Sequence, residues 1–475
     1  MSNQVEEKKD NQYTVNSVMT QDIKKEHLKS IETDKTWDDI FALSPEVRER
    51  IKQIYERPTK IQYLSIGETI EYIQPVITIK CRNGGGKTLT FAIPALEFAY
   101  RNKNKKTSKS QQSVQEVHGQ STQTGATVYC PTSIIIVSTQ PLALQIQSVL
   151  NNILVEGVST EVLFQDQKIT QSGQILISTP DLLYKYMVKE KLIQLDNLCH
   201  VAVDEADNML TSFQMQLEQM IVFLKGRDFV IQFVSATLTE KNINFIYQAL
   251  KFDSTKDEDS KVLYSIELPW KLKGVTQYAQ VLNGDKQEQE RTKQSICSQI
   301  INQIIDYNSK NPQLASQVII FFRKIQNILA FEDMIANERF SWKYTSCANK
   351  SKRNENIQNF RAGNFDIMLA TAVMSRGIDI RKVGLVINFD MPLEMFDKGM
   401  EQLDKHQYLH NIGRTGRFAD LGLSLTFFEN TKVYENAKKT IKDSFECDLL
   451  DLKIENIIPE LAGVMKNNTQ HQRVQ

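Results

Sequence analysis

Short runs of β-branched and other apolar residues alternate with longer amphipathic stretches, and the alternation starts twice. The first set is Val76–Lys80, Ile134–Ser138, Glu161–Phe164, Ile175–Ser178, Val201–Val203 and Phe229–Ser235. The second is Val318–Phe322, Lys343–Thr345, Phe365–Ala370, Leu385–Phe389 and Ser424–Phe428. Near-continuous apolar strands separated by helices are buried on both faces, as in a parallel sheet covered by helices. Two such sets in 475 residues predict an α/β chain of two domains, each a parallel sheet flanked by helices.

Charge narrows the function classes. Lys plus Arg total 57, as do Asp plus Glu, so the net charge is zero. A strongly basic coat for nucleic acid is excluded, but a local basic groove is not. The six cysteines are too far apart for a CxxC pair, and their density argues against a disulfide scaffold. Reduced thiols, in cytosol or nucleus, are expected. No apolar core of a secretory signal is visible near the N-terminus, and no apolar run of about 18 residues suggests a membrane span.

The pattern divides the chain as follows. Residues 1–36 form a polar extension with a short helix expected around Val18–Ile31. The first domain covers 37–268, a linker 269–273 and the second domain 274–463. A polar tail, 464–475, is expected to fray. Arg101–Thr127 is basic and then rich in Gln, Ser and Thr, which predicts a disordered surface loop that is filler rather than a binding site.

Three motifs carry chemistry. Cys81-Arg-Asn-Gly-Gly-Gly-Lys-Thr88 follows the Val76–Lys80 strand and precedes an apolar helix over Leu89–Tyr100. Strand, glycine loop and helix form the context of a phosphate-binding loop. Gly84, Gly85 and Gly86 let backbone N–H groups turn toward phosphates, and the helix N-terminus adds partial positive charge. Lys87 would meet the β- and γ-phosphates of ATP, and Thr88 would hold Mg²⁺. Cys81 stands where such loops usually begin with glycine. The second motif, Val201-Ala-Val-Asp-Glu-Ala-Asp207, ends an apolar strand in adjacent carboxylates. Asp204 can hold Mg²⁺ opposite Thr88, and Glu205 can orient or deprotonate the attacking water. The third is His410-Asn-Ile-Gly-Arg-Thr-Gly-Arg417 in the second domain. Arg414 and Arg417, three apart, are expected on one side of a helix. From there they would stabilise charge on the transferring phosphoryl group if the domains close.

With these residues in order, the chain resembles the DEAD-box RNA helicases of superfamily 2, and Asp204-Glu-Ala-Asp207 is the family's name. The resemblance spans about Trp37 to Ala462 and implies two RecA-like domains. Arg57-Pro-Thr-Lys-Ile-Gln62 looks like the family's adenine-reading segment, with Gln62 on the adenine edge and Tyr55 stacked on the base. Trp37 lies 25 residues before Gln62, where the family carries an aromatic. Ser235-Ala-Thr237 matches the segment that couples hydrolysis to closure, its hydroxyls reaching Asp207 or His410. Arg376-Gly-Ile-Asp379 matches a segment whose aspartate meets the ribose. The same resemblance implies RNA contacts at Thr139, Thr179, Arg353, Arg361, Thr371 and Arg376.

A finer resemblance is to the branch that remodels messenger ribonucleoprotein at the nuclear pore. It rests on the Arg57–Gln62 segment, on the spacing of 18 from Asp390 to Tyr408, and on the polar N-terminal extension. That branch implies an inhibitory N-terminal helix, a cytoplasmic-face nucleoporin partner and an activator assisted by inositol hexakisphosphate. Single-stranded RNA or mRNP as partner, a monomer, and residence in cytoplasm and nucleus follow from the same resemblance. Some positions depart from the family. Ser138-Thr-Gln-Pro-Leu-Ala143, Thr179-Pro-Asp-Leu182, Gln165-Asp166, Ala372 and Asn411 replace family residues, and Asp181 near RNA phosphates should weaken binding. The expectation is an RNA-stimulated ATPase that remodels RNA–protein complexes in mRNA export. The alternatives are an ATP-gated RNA clamp with weak turnover, or a helicase of translation or splicing.

Overall fold

The computed structural model describes residues 33–71, 76–81, 84–103, 129–164, 173–224, 227–250, 263–267, 274–349, 351–371, 383–396, 400–416 and 421–472. The expected N-terminal helix, the Arg101–Thr127 loop beyond Lys103 and the 269–273 linker lie outside them. The chain falls into two compact units, one over Glu32–Pro269 and one from Trp270 onward.

In the first unit, α1 (Pro45–Lys52) and α2 (Lys60–Glu71) precede β1 (Val76–Lys80) and α3 (Lys87–Asn102). Then follow β2 (Ser133–Ile136), α4 (Gln140–Ile153), β3 (Thr160–Val162), β4 (Ile175–Ser178) and α5 (Pro180–Tyr184). The unit finishes with β5 (His200–Asp204), α6 (Ala206–Ser212), α7 (Gln214–Leu224), β6 (Val230–Ser235), α8 (Glu240–Ala249) and β7 (Leu263–Glu267). The sheet order is β3-β4-β2-β5-β6-β1-β7, and every pairing is parallel. Strand residues alternate between two cores. Ile77, Ile79, Ala202, Val230 and Val234 pack beneath α1–α4. Val76, Val201, Val203, Ile231 and Phe233 pack on the opposite face with α6 and α7. A sheet buried on both faces is why these strands are apolar throughout.

Register decides where chemistry collects. Lys80 pairs with Ser235, and Val234 pairs with Asp204. The carboxyl ends of β1, β6 and β5 are therefore level, and the residues following all three gather at one edge. In open parallel sheets this edge is where ligands bind.

The second unit contains β8 (Val275–Val281), α9 (Lys286–Lys310), β9 (Gln317–Phe322), α10 (Ile325–Asn337), β10 (Tyr344–Ser346) and α11 (Arg353–Arg361). It continues with β11 (Ile367–Thr371), β12 (Val383–Asn388), β13 (Leu393–Phe396), β14 (Met400–Leu403) and α12 (Lys405–Ile412). Last come β15 (Gly422–Phe428), α13 (Thr431–Phe445), β16 (Leu449–Asp451) and α14 (Ile454–Gln472). Its sheet order is β10-β11-β9-β12-β15-β8-β16, again parallel.

Two findings go beyond the sequence pattern here. Between Asp390 and Tyr408 the strands β13 and β14 pair antiparallel, closed at their base by Asp404 N–H donating to Pro392 O at 3.0 Å. Asp390 anchors the chain just before them, accepting from Arg323 N (2.9 Å) and Asn327 Nδ2 (2.7 Å). Buried Lys293 pairs with the same carboxylate at 3.4 Å. Second, the expected frayed tail is a helix. α14 runs to Gln472, burying Ile457, Leu461, Val464 and Met465 on one stripe. Asn468 fixes its end, accepting from Leu421 N (2.9 Å) and donating to Leu421 O (3.0 Å). Polar composition on the outer face made this segment read as a tail.

Candidate active site

The glycine loop turns where only glycine is comfortable. Gly84 and Gly86 have φ of +72° and +94°. A Cβ on Gly86 would lie 2.5 Å from Gln62 Nε2 and 2.7 Å from Thr59 Oγ1. That closeness reflects a clamp. Thr59 Oγ1 donates to Gly85 O at 3.0 Å and Gln62 Nε2 donates to Gly86 O at 3.0 Å. Gln62 Oε1 accepts from Thr59 N at 2.8 Å. The amide thus gives one N–H to the loop and one lone pair to Thr59 N, and retains one of each for a base edge. Thr59 lies in the motif but was not among the sequence-predicted site residues. Its place before α2 gives no sign of the clamp.

Tyr55, half-buried, packs against the first core, and its carbonyl takes the indole N–H of buried Trp37 at 2.8 Å. Trp37 therefore braces the segment that carries Tyr55. Lys87 begins α3 and reaches back to Cys81 O at 3.0 Å. Thr88 is the next helical residue, half-buried. Arg82 and Asn83 lie outside the described residues.

Beside the loop, β5 delivers its carboxylates. Burial pushes Asp204 up to about 6, Asp207 adding to the rise while Lys87 and the N–H of Glu205 oppose it. That N–H donates to Asp204 Oδ1 at 2.9 Å. Glu205 itself is left-handed, with φ of +50° and ψ of 48° at the start of α6. Such a conformation is costly for a residue with a Cβ and is concentrated at functional sites. Ser138 Oγ donates to Glu205 Oε2 at 3.4 Å, a contact the sequence reading missed. Asp207 takes the coupling hydroxyls: Ser235 Oγ donates to Oδ1 at 2.7 Å and Thr237 Oγ1 donates to Oδ2. Thr237 N–H closes the turn on Ser235 Oγ at 3.1 Å.

A magnesium ion takes oxygen ligands and usually only one or two carboxylates, the rest being water and phosphate. A buried carboxylate opposed by Lys87 is such a donor, and Thr88 offers a hydroxyl in the first turn of α3. Asp204 and Thr88 fit the ion, whose contribution would be to neutralise phosphate charge.

The residues expected to meet RNA in the first unit start helices. Thr139 precedes α4 and Thr179 precedes α5, each just after one of the neighbouring strands β2 and β4. A pocket lined by Gln140, Thr179, Asp181, Leu182 and Lys185 lies there. Asp181 Oδ1 accepts from Gln216 Nε2 at 2.9 Å, so its charge is partly engaged.

In the second unit, Arg353 opens α11 and its Nε donates to Cys347 O at 3.3 Å; Arg361 closes the same helix. Thr371 ends β11, half-buried. Arg376, Asp379 and Arg417 lie outside the described residues. Arg414 does not lie on the helix expected to carry it. α12 ends at Ile412, and the bonds from Arg414 N to Asn411 O and Thr415 N to Ile412 O tighten the chain into turns. Thr415 Oγ1 pulls the turn toward β12, donating to Val383 O at 2.7 Å. Arg414, buried, donates from Nε to His410 O at 3.1 Å. Asn411 is buried too. It accepts from Gln407 Nε2 (2.7 Å) and donates to Asn388 Oδ1 (2.8 Å), which ties α12 to the sheet.

Residues 59–246 match the family description "DEAD/DEAH box helicase", and residues 296–419 match "Helicase conserved C-terminal domain". The chain is a DEAD-box helicase. It is similar to DEAD-box ATP-dependent RNA helicase 56 of Oryza sativa, 26% identical over 428 residues, covering 87% of this chain and 84% of the relative. ATP-dependent RNA helicase DbpA of Bacillus subtilis is 27% identical over 383 residues, covering 78% and 67%. The fold resembles that of S. cerevisiae Dbp5 bound to RNA and ADP BeF3, with a TM-score of 0.70 at 21% identity, covering 91% of this chain and 99% of the other. Two RecA-like domains are thus present, as expected from the sequence. As a DEAD-box helicase the chain is an ATP-hydrolysing RNA helicase, and its nucleotide is ATP.

Proposed function

We propose that this DEAD-box helicase binds single-stranded RNA with little sequence preference and remodels RNA–protein complexes in messenger RNA export. The observation that carries the export reading is the antiparallel β13–β14 pair between Asp390 and Tyr408, in a chain whose fold follows Dbp5 over nearly its whole length. Dbp5 has been solved with gle1 and ip6, and with nup159. By that likeness this chain works as a monomer in cytoplasm and nucleus, at the cytoplasmic face of the nuclear pore. Its partners there are a nucleoporin and an inositol-hexakisphosphate-assisted activator, and its N-terminal extension is inhibitory.

In the first domain Lys87 leaves Cys81 O for the β- and γ-phosphates, and Gln62 and Tyr55 hold adenine. Thr88 and Asp204 hold Mg²⁺. Glu205 orients the attacking water and takes its proton. Closure of the domains brings Arg414 and Arg417 to the γ-phosphate and Asp379 to the ribose, so hydrolysis follows RNA binding. Thr139, Thr179, Arg353, Arg361, Thr371 and Arg376 contact the RNA backbone.

Steady-state ATP hydrolysis with and without single-stranded RNA, beside Glu205→Gln, tests the catalytic reading. Several-fold stimulation, lost in the variant, is expected. Turnover no higher than the variant's, with RNA held only when ATP is present, would instead establish a second reading, an ATP-gated clamp, which Asp181 in the Thr179 pocket favours. Co-purification with a nuclear-pore propeller separates export from translation or splicing.

A further inference from the structure

The sheet face beneath α2 and α3 is apolar along Ile77, Ile79, Ala202, Val230 and Val234, with one polar patch at its centre. Gln232 lies on this face of β6, between Val230 and Val234, and is fully buried. Its Nε2 donates to Thr69 Oγ1 at 2.7 Å and to the backbone O of Thr90 at 3.1 Å. A backbone carbonyl has no hydrogen to give, so the amide's orientation is fixed, with nitrogen toward the helices. Its Oε1 then faces His200 Nε2 at 2.9 Å, which makes His200 the donor and the neutral Nε2–H tautomer. Thr69 gives its own hydroxyl hydrogen to Ser65 O at 2.7 Å, leaving lone pairs for Gln232. Phe98 stacks on the His200 ring, centroids 5.8 Å apart.

Each element joined at Gln232 ends in part of the nucleotide site. Thr69 lies on α2, whose first turn carries Gln62. Thr90 lies three residues after Lys87 on α3. His200 begins β5, which ends at Asp204, and β6 itself ends at Ser235. Apolar contacts are non-directional and let a helix settle at several heights on a sheet. A buried amide is tolerated only with its donors met, which selects one height.

We propose that Gln232 is a positioning residue for nucleotide recognition: it fixes α2 against α3, and so places Gln62 and Thr59 on Gly85 and Gly86. The proposal rests on the reading that Gln62 recognises adenine, and the two are tested together. KM and kcat are measured for ATP and for GTP, with RNA, on the full chain. The proteins are wild type, Thr69→Val, Thr69→Ser, Gln232→Leu and Gln62→Ala. Thr69→Val and Gln232→Leu are expected to raise KM for ATP about fivefold, the effect of one lost positioning hydrogen bond, and to erode the preference for ATP over GTP. The effect should fall on KM more than on kcat. Thr69→Ser, which keeps the hydroxyl, should restore both. A lowered Tm in Thr69→Val with KM and base preference unchanged would make the Gln232 cluster a piece of core and overturn the proposal. Thr69→Val alone decides if Gln232→Leu does not fold. If Gln62→Ala loses the preference while Thr69→Val keeps it, the proposal falls and the adenine reading stands. If Gln62→Ala keeps the preference, both fall.

Discussion

Gln62 and Gly86 are joined at 3.0 Å through the amide nitrogen and the loop carbonyl, and a Cβ on Gly86 would come within 2.5 Å of that nitrogen. The segment before the first strand and the phosphate loop are therefore one assembly. Gly86→Ala strains a left-handed residue and drives Gln62 off its carbonyl together. We expect a loss of about 1–2 kcal/mol in stability and at least about tenfold in ATP affinity. Thermal melting and nucleotide titration check both, and a normal affinity would mean that the loop tolerates the extra atom.

Glu205 is placed by strain, which separates its activity from its effect on stability. Glu205→Gly should remove the left-handed penalty and raise stability by about 1 kcal/mol while abolishing hydrolysis. Glu205→Gln should abolish hydrolysis with Tm unchanged. Equal melting temperatures for the two variants would show that the conformation costs nothing here.

His200 sets an acid limit on the first domain. Burial pushes it down to about 4, against about 6.5 in an unfolded chain. Between those values the unfolded chain binds the proton that the folded one refuses. The contribution of His200 is present above pH 6.5 and is lost as pH falls toward 4, by about 3 kcal/mol in all. Denaturant melts at pH 7 and 5 should show the fall, and His200→Phe should flatten it. A pH slope unchanged in His200→Phe would place the acid sensitivity elsewhere.

The end of α14 belongs to the second core. Asn468→Ala removes two hydrogen bonds to Leu421 and leaves buried backbone groups unpaired, at about 2 kcal/mol. A chain ending at Gly463 also loses buried Val464 and Met465 and should express poorly or aggregate. Chemical denaturation of both proteins measures the contribution, and a wild-type midpoint in the shorter chain would make the segment dispensable.

Much of this was legible in the sequence because parallel strands buried on both faces are apolar throughout. Val76–Lys80 and Ile175–Ser178 read with their observed limits for that reason. Val275–Val281 did not, since Thr276, Gln277 and Gln280 interrupt it, yet Gln277 is buried as the acceptor of the Tyr408 hydroxyl at 2.7 Å. Leu263–Glu267 was missed as well. The glycine loop and the carboxylates of β5 follow from local spacing alone. The Gln62–Gly86 clamp, the turn at Arg414 and the partners of Gln232 do not, because each depends on which atoms of distant elements meet.

The place of β1 in its sheet also sets a timetable for synthesis. Its neighbours are β6 and β7, residues 230–235 and 263–267, so the strand that ends in the phosphate loop has no partner until β6 has emerged and is fully paired only after β7. At about 5–20 residues per second the wait for full pairing is roughly 10–40 s. Through that interval an apolar strand and its glycine loop depend on the ribosome and chaperones for cover, and ATP can find its loop only after the first domain is complete.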